Sequence, residues 1–229
     1  INQLNHYGVK NKLVKFEKNE TRISFAIVET TVKDHQSIIY RHKASDLFLN
    51  KDDIKNADIQ NFDCVLITGT SLAAEPSRSA TLYALDIANK NNIPVIMDID
   101  YRPYTWESSK KAKEVYNLAA SKCSGVIGND DEFGVLAGDY NNGFDHAKQL
   151  SKNVSLIIYK KGEKGSITFA MNKEIKKGIF PVKPLKPTGA GDAFMGSLIG
   201  SILKSNDLEK SIEIGSAAAA IVVTKVGCA

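Results

Sequence analysis

The sequence has no apolar run long enough to cross a bilayer. Its apolar stretches, Val65-Leu66-Ile67 and Val95-Ile96-Met97 among them, fall far short of the ~20 residues a spanning helix needs. Its first residues lack a basic-then-apolar leader pattern, so the expectation is a soluble, cytoplasmic chain. Cysteine is scarce: Cys64, Cys123 and Cys228 are odd in number and lack metal-ligand spacing, which speaks against a disulfide framework or a zinc site. Charge of one sign is not concentrated either. Thirty Lys and Arg against 26 Asp and Glu leave a net charge of +4, spread along the chain without the basic block that tracks a nucleic-acid backbone. A small anionic ligand suits it better than DNA. Two common phosphate loops are missing as well. There is no Gly-Lys-Ser/Thr triplet, and a dinucleotide fingerprint would need a third glycine where Phe194 stands.

What is present reads as one globular domain: 229 residues, 43% hydrophobic and 24% charged. From Asp63 onward, short β-rich runs alternate with amphipathic segments, the pattern of βαβ units around a mostly parallel, doubly wound sheet with helices on both faces. Strands are expected at Cys64-Thr68, Pro94-Ile99, Gly125-Gly128 and Val154-Lys160, and helices near Glu75-Asn91, Ser108-Ala120, Asp131-Ala137 and Phe144-Ser151. Ser166-Met171 and Glu174-Phe180 flank Asn172-Lys173 as a hairpin. Before Asp63 the rhythm changes. Ile23-Thr30 and Ser37-Arg41 have no helix between them, which predicts a small antiparallel flap over residues 21–45. Such a flap either closes over a site or is an ordinary edge hairpin. Ile1 to Val9 resembles the end of a helix with a Gly8 stop, and the chain is expected to be part of a longer one.

Four segments carry candidate chemistry. In Lys186-Pro187-Thr188-Gly189-Ala190-Gly191-Asp192-Ala193-Phe194-Met195-Gly196, proline and glycine forbid helix before Asp192, whereas Ala193 to Lys204 favours it. A glycine turn running into a helix N-terminus presents unpaired N–H groups and the positive end of the helix dipole to an anion. A carboxylate there repels phosphate unless it has a task. Asp192 either accepts the proton of an attacking hydroxyl or caps its helix. Asn129-Asp130-Asp131-Glu132-Phe133 follows a strand and so lies at the carboxyl end of the sheet, where open α/β folds bind ligands. Asn129 and Glu132, three apart, share a helix face and suit hydrated Mg2+, or they are a plain helix start. In Asp98-Ile99-Asp100-Tyr101-Arg102-Pro103-Tyr104-Thr105-Trp106, Arg102 offers a fork for a carboxylate or phosphate and the aromatics a sugar-pocket wall, unless this is a surface arginine beside core rings. Lys160-Lys161-Gly162-Glu163-Lys164-Gly165 fits a nucleotide phosphate or a solvated turn equally.

Taken in this order, the four segments resemble the ribokinase-like, or PfkB, carbohydrate kinase family over nearly the whole chain. The resemblance implies an ATP-dependent kinase acting on a sugar hydroxyl. It makes Asp192 the base, with Gly189, Ala190 and Gly191 supplying the anion hole. It also implies Mg2+ placed through water by Asn129 and Glu132, and nucleotide contacts from Lys160, Gly162, Thr188, Ala219, Lys225 and Gly227. The flap is similar to that family's β-lid, through which its members often dimerise, so a homodimer is expected. The segments Asp98 to Trp106 and Gly215 to Val223 most resemble the branch that phosphorylates 5-dehydro-2-deoxygluconate in myo-inositol catabolism, in which Arg102 and Tyr101 would contact the sugar acid. Kinases of 2-keto-3-deoxygluconate carry a similar arginine, and fructose or ribose kinases share the architecture. A non-catalytic sugar- or nucleotide-binding regulator is the reading from another class, against which an intact Asp192 argues. Family members usually begin with further residues that complete the sugar pocket and end with a further helix. By this resemblance residues 1–229 are a single kinase domain without its N-terminal part and final helix. Potassium-using members often have an aspartate six positions before the base; Lys186 stands there, which implies weak or no activation by potassium.

Overall fold

The structure, a computed structural model, describes residues 2–17, 20–28, 37–186 and 188–226. In chain order its elements are α1 (Asn2–His6), β1 (Phe25–Val28), β2 (Ser37–Tyr40), α2 (Lys51–Asn56), β3 (Val65–Thr68), α3 (Ser77–Lys90), β4 (Val95–Asp98), α4 (Ser109–Ala120), β5 (Gly125–Asn129), α5 (Asp130–Ala137), α6 (Gly143–Leu150), β6 (Leu156–Lys160), β7 (Ser166–Ala170), β8 (Lys173–Lys177), α7 (Ala190–Ser205) and α8 (Leu208–Val223). β3 to β8 form one sheet in sequence order. β3 to β6 are parallel, and β7 and β8 are added antiparallel.

The order explains the layers. When successive parallel strands advance in one direction through right-handed crossovers, every connecting helix falls on the same face. Ile67, Val95, Met97, Val126, Ile157 and Phe169 face α3 to α6 in one large core. The strand residues between them, Ile96, Ile127, Leu156 and Ile158, face a second core built by Phe194, Met195 and Leu198 of α7 and Ile212 of α8. Strands buried on both faces are apolar at nearly every position, as in Val95-Ile96-Met97. The expected α/β architecture with helices on both faces is therefore present.

The predicted boundaries hold to within a few residues, with corrections at α7 and at the hairpin. α7 begins at Ala190, although helix was excluded before Asp192, because only Gly189 takes the positive φ of a cap. The hairpin turn is Met171-Asn172, both left-handed at φ 50 and 59, one residue before the expected Asn172-Lys173. A two-residue turn with both central residues at positive φ matches the twist of its strands. β8 then stops at Lys177 rather than running to Phe180, and residues 178–186 have no regular structure.

The flap is a separate two-stranded sheet in which Phe25 pairs with Tyr40 and Ile27 with Ile38. It rests on the body through Arg41, whose Nη1 donates to the Thr70 carbonyl at 3.1 Å and whose Nη2 pairs with Asp46. A cavity of about 200 Å3 lies between flap and body, lined by Ile39, Arg41 and His42 on one side and Ala73, Ala74, Tyr104 and Thr105 on the other. Cys64 and Cys123 are free thiols, and burial pushes the Cys123 thiol up to about 12, which suits an inert core residue. Cys228 lies outside the described residues. No helix among the described residues is long and apolar enough to cross a membrane.

Candidate active site

Strand register assembles the site. Thr68 pairs with Asp98 and Asn129 with Lys160. By the two-residue alternation of strands, Asp98 shares the face of Ile96, Asn129 that of Ile127, and Lys160 that of Ile158. That face is the one α7 covers. The carboxyl ends of three parallel strands thus bring a carboxylate, an amide and an ammonium beneath the start of α7.

At that start, Gly189 is the N-cap at φ 88, with no side chain to satisfy the amides behind it. A residue with a Cβ is strained at this φ. The first intrahelical bond runs from the Ala193 N–H to the Gly189 carbonyl at 3.0 Å, which leaves the preceding N–H groups without helical partners. Asp192 is the third residue of the helix rather than its cap, and its side chain is exposed. The capping alternative for Asp192 is thereby removed. Lys160 reaches the same turn: a Cβ placed on Gly191 would sit 3.8 Å from the Lys160 Nζ. The Thr188 hydroxyl is buried and unpartnered beside it.

The second cluster takes the form of the plain helix start. The Asn129 side chain accepts from the Glu132 N–H at 2.8 Å, and Glu132 Oε2 accepts from the Asn129 N–H at 2.7 Å, a reciprocal capping box. Glu132 is nevertheless only 8% exposed. Burial raises its pKa, opposed by Lys160 and by the Asn129 amide. Among the described residues no three His, Cys, Asp or Glu side chains converge as a metal cage.

Asp98 is the residue that sequence reasoning passed over. It is 7% exposed, and burial pushes its pKa up to about 7, with Lys160 opposing and Glu132, Asp100 and Asp192 adding to the rise. One signal was available: it is a charged residue on the inner face of an otherwise apolar strand.

The remaining expected residues are less concentrated. Arg102 Nη2 pairs with Asp100 Oδ1 at 2.6 Å, and its Nη1 donates to the Tyr101 carbonyl. Tyr101 packs edge-on against Tyr116, with ring centroids 6.2 Å apart, so its ring belongs partly to the core. Gly162, at φ 55, opens the short turn after β6. That turn borders a cavity of about 350 Å3 lined by Lys161, Lys164, Lys176 and Lys177. Neither this cavity nor the one under the flap is lined by Asp192, whose side chain is exposed. Ala219 lies in α8 against the second core, and Lys225 is exposed just past that helix. Gly227 lies outside the described residues.

The model of the pfkB family carbohydrate kinases matches residues 1–229. The chain belongs to that family. Among curated pfkB-family relatives, the 5-dehydro-2-deoxygluconokinase of Photobacterium profundum is 37% identical over 218 residues, covering 93% of this chain and 66% of the relative. The protein of the same name from Geobacillus kaustophilus is 34% identical over 234 residues, covering 100% and 70%. The chain thus spans about two thirds of the length of these relatives. Among solved structures, a Vibrio cholerae O395 fructokinase with fructose, ADP and potassium bound superposes with a TM-score of 0.87 at 21% identity, covering 99% of this chain and 74% of that one. A Xylella fastidiosa fructokinase with bound ATP gives 0.86 at 17% identity, covering 99% and 75%. At such identities the likeness speaks for the ribokinase-like fold alone.

Proposed function

We propose that this pfkB-family chain carries the catalytic half-site of an ATP-dependent kinase for a sugar acid, with 5-dehydro-2-deoxygluconate the first candidate substrate. The observation that carries the reading is the α7 N-terminus, where a glycine cap leaves amides open and an exposed carboxylate stands at the third helical position. A terminal phosphate fits the amides of Gly189, Ala190 and Gly191, with the Lys160 ammonium alongside. A sugar hydroxyl directed at Asp192 loses its proton to that carboxylate as its oxygen attacks phosphorus and the bond to the nucleoside diphosphate breaks. The chain's own contribution is to orient the two reactants and stabilise charge on the transferring group.

Mg2+ fits the donor set as a hydrated ion. Glu132 and Asp98 are hard oxygen donors that feel each other's charge, a donor set that would suit a hydrated ion reached through water. When bound, the ion would neutralise phosphate charge. Asn129 and Glu132 would hold it, with Asp98 beside them.

Arg102 is the candidate for the substrate carboxylate. Its present partner is Asp100, so an acid substrate exchanges one carboxylate for another, a step a neutral sugar does not offer. The names of the curated relatives support the acid. The test is ADP release from the full-length protein across 5-dehydro-2-deoxygluconate, 2-keto-3-deoxygluconate, fructose and ribose, with and without potassium. The first acid should give the highest kcat/KM, with little change on adding potassium. Preference for a neutral sugar overturns the substrate assignment, and binding of sugar without ADP release favours the regulator.

A further inference from the structure

Lys186 has no role in the steps above, yet it is one of the least exposed charged residues of the chain, at 4%. A buried ammonium is costly unless it is held by strong acceptors. Its backbone is anchored first: the N–H groups of Leu185 and Lys186 both donate to the Val223 carbonyl at the end of α8, at 2.8 and 3.3 Å. From that fixed point the side chain turns back toward its own chain, and Nζ donates to the Thr188 carbonyl at 2.6 Å. That carbonyl belongs to the peptide unit joining Thr188 to Gly189. In a planar trans peptide the C=O and N–H point in opposite directions. Whatever holds the Thr188 oxygen therefore also aims the Gly189 N–H, the first open amide of the α7 turn. Glycine at this position is free to rotate, so its backbone does not fix the direction unaided. The buried, unpartnered Thr188 hydroxyl shows that the turn is not held by that side chain either.

We propose that Lys186 is a positioning residue, whose buried ammonium holds the Thr188 carbonyl and so aims the Gly189 amide at the transferring phosphate. It acts through the backbone and touches neither reactant. It also places a fixed positive charge one residue behind the anion hole, where it favours charge gathering on the phosphoryl oxygens. The inference rests on the phosphoryl-transfer reading of this turn, and one arm of its test is independent of turnover.

Two variants separate aiming from packing. Lys186→Met keeps most of the buried volume without a charge, and Lys186→Ala leaves space for a small cation. Both should lower kcat roughly ten- to hundredfold, below the ~10²–10³ seen when a whole oxyanion donor is deleted, with the KM for ATP changing much less. Methylammonium chloride should restore part of the loss in Lys186→Ala. It should do nothing for Lys186→Met, and tetramethylammonium chloride at equal ionic strength should help neither. A purely structural lysine would instead lower the folded fraction without changing turnover per folded molecule. In the second arm, the non-hydrolysable ATP analogue adenylyl imidodiphosphate, which keeps a terminal phosphate, is added to 15N-labelled protein: the Gly189 amide resonance should move in the wild type and stay nearly still in Lys186→Met. Wild-type kcat in folded Lys186→Met, or an equal Gly189 shift in both proteins, overturns the inference. Absence of ADP release by the wild type sinks the kinase reading alone, because the amide arm still decides the role of Lys186.

Discussion

Two helices begin at this site, and they begin in opposite ways. α5 opens with a closed box in which Asn129 and Glu132 satisfy each other's amides. α7 opens with a glycine that has no side chain to offer. Both starts carry carboxylates and both lie at the carboxyl end of the sheet, so composition and position do not separate them. The separation comes from who occupies the amides. At α5 the protein has filled them itself, through the reciprocal box of Asn129 and Glu132. At α7 no side chain caps them, and the carboxylate of that turn, Asp192, is held off the cap by its place in the first turn. On the proposed reading, the anion site is marked by what the chain leaves unsatisfied.

The contrast can be broken from either side. Gly189→Asp gives α7 a side-chain cap like that of α5. It should lower kcat by about 10²–10³, the range for losing an oxyanion donor, whereas Gly189→Ala, which adds only the strain of a Cβ at positive φ, should cost less. Steady-state kinetics with melting curves for both variants distinguishes filling from strain, and equal losses would mean strain alone.

The next effect concerns Asp98, the buried carboxylate between the two starts. Its folded pKa of about 7 lies above the ~3.9 of an unfolded aspartate. Between those values the folded state holds the extra proton, so its stabilising share is complete at low pH and is lost as pH rises through 7, by on the order of a few kcal/mol. Asp98→Asn should flatten that slope and melt higher than the wild type at pH 8 but not at pH 4. Urea unfolding at the two pH values measures it, and parallel curves would show that Asp98 is solvated after all. The smallest effect is expected at the closed box, where Asn129→Ala should cost about 1 kcal/mol of stability in the same urea assay.

Much of this was legible beforehand, for stated reasons. Strands such as Val95-Ile96-Met97 announce burial on both faces, and the glycine turn before Ala193 announces a helix start. What the sequence withheld is relational. Nothing local to Asp98, Lys160 or Lys186 says that strand register sets the first two on the α7 face, or that the third bends back to Thr188. The Asn129 and Glu132 spacing was equally compatible with metal and with a cap, because both uses need the same helical neighbours. Hairpin register slipped by one residue because Met171 at positive φ has no sequence signature of its own.

The central claim is that Asp192 takes a proton beside a phosphate gathered by open amides. The direct test is Asp192→Asn, which keeps the shape and removes the base, followed by single-turnover phosphoryl transfer and calorimetric ATP binding on the same preparation. The account predicts transfer slowed by about 10²–10⁴-fold with ATP affinity nearly unchanged. Wild-type transfer by the asparagine variant would contradict it.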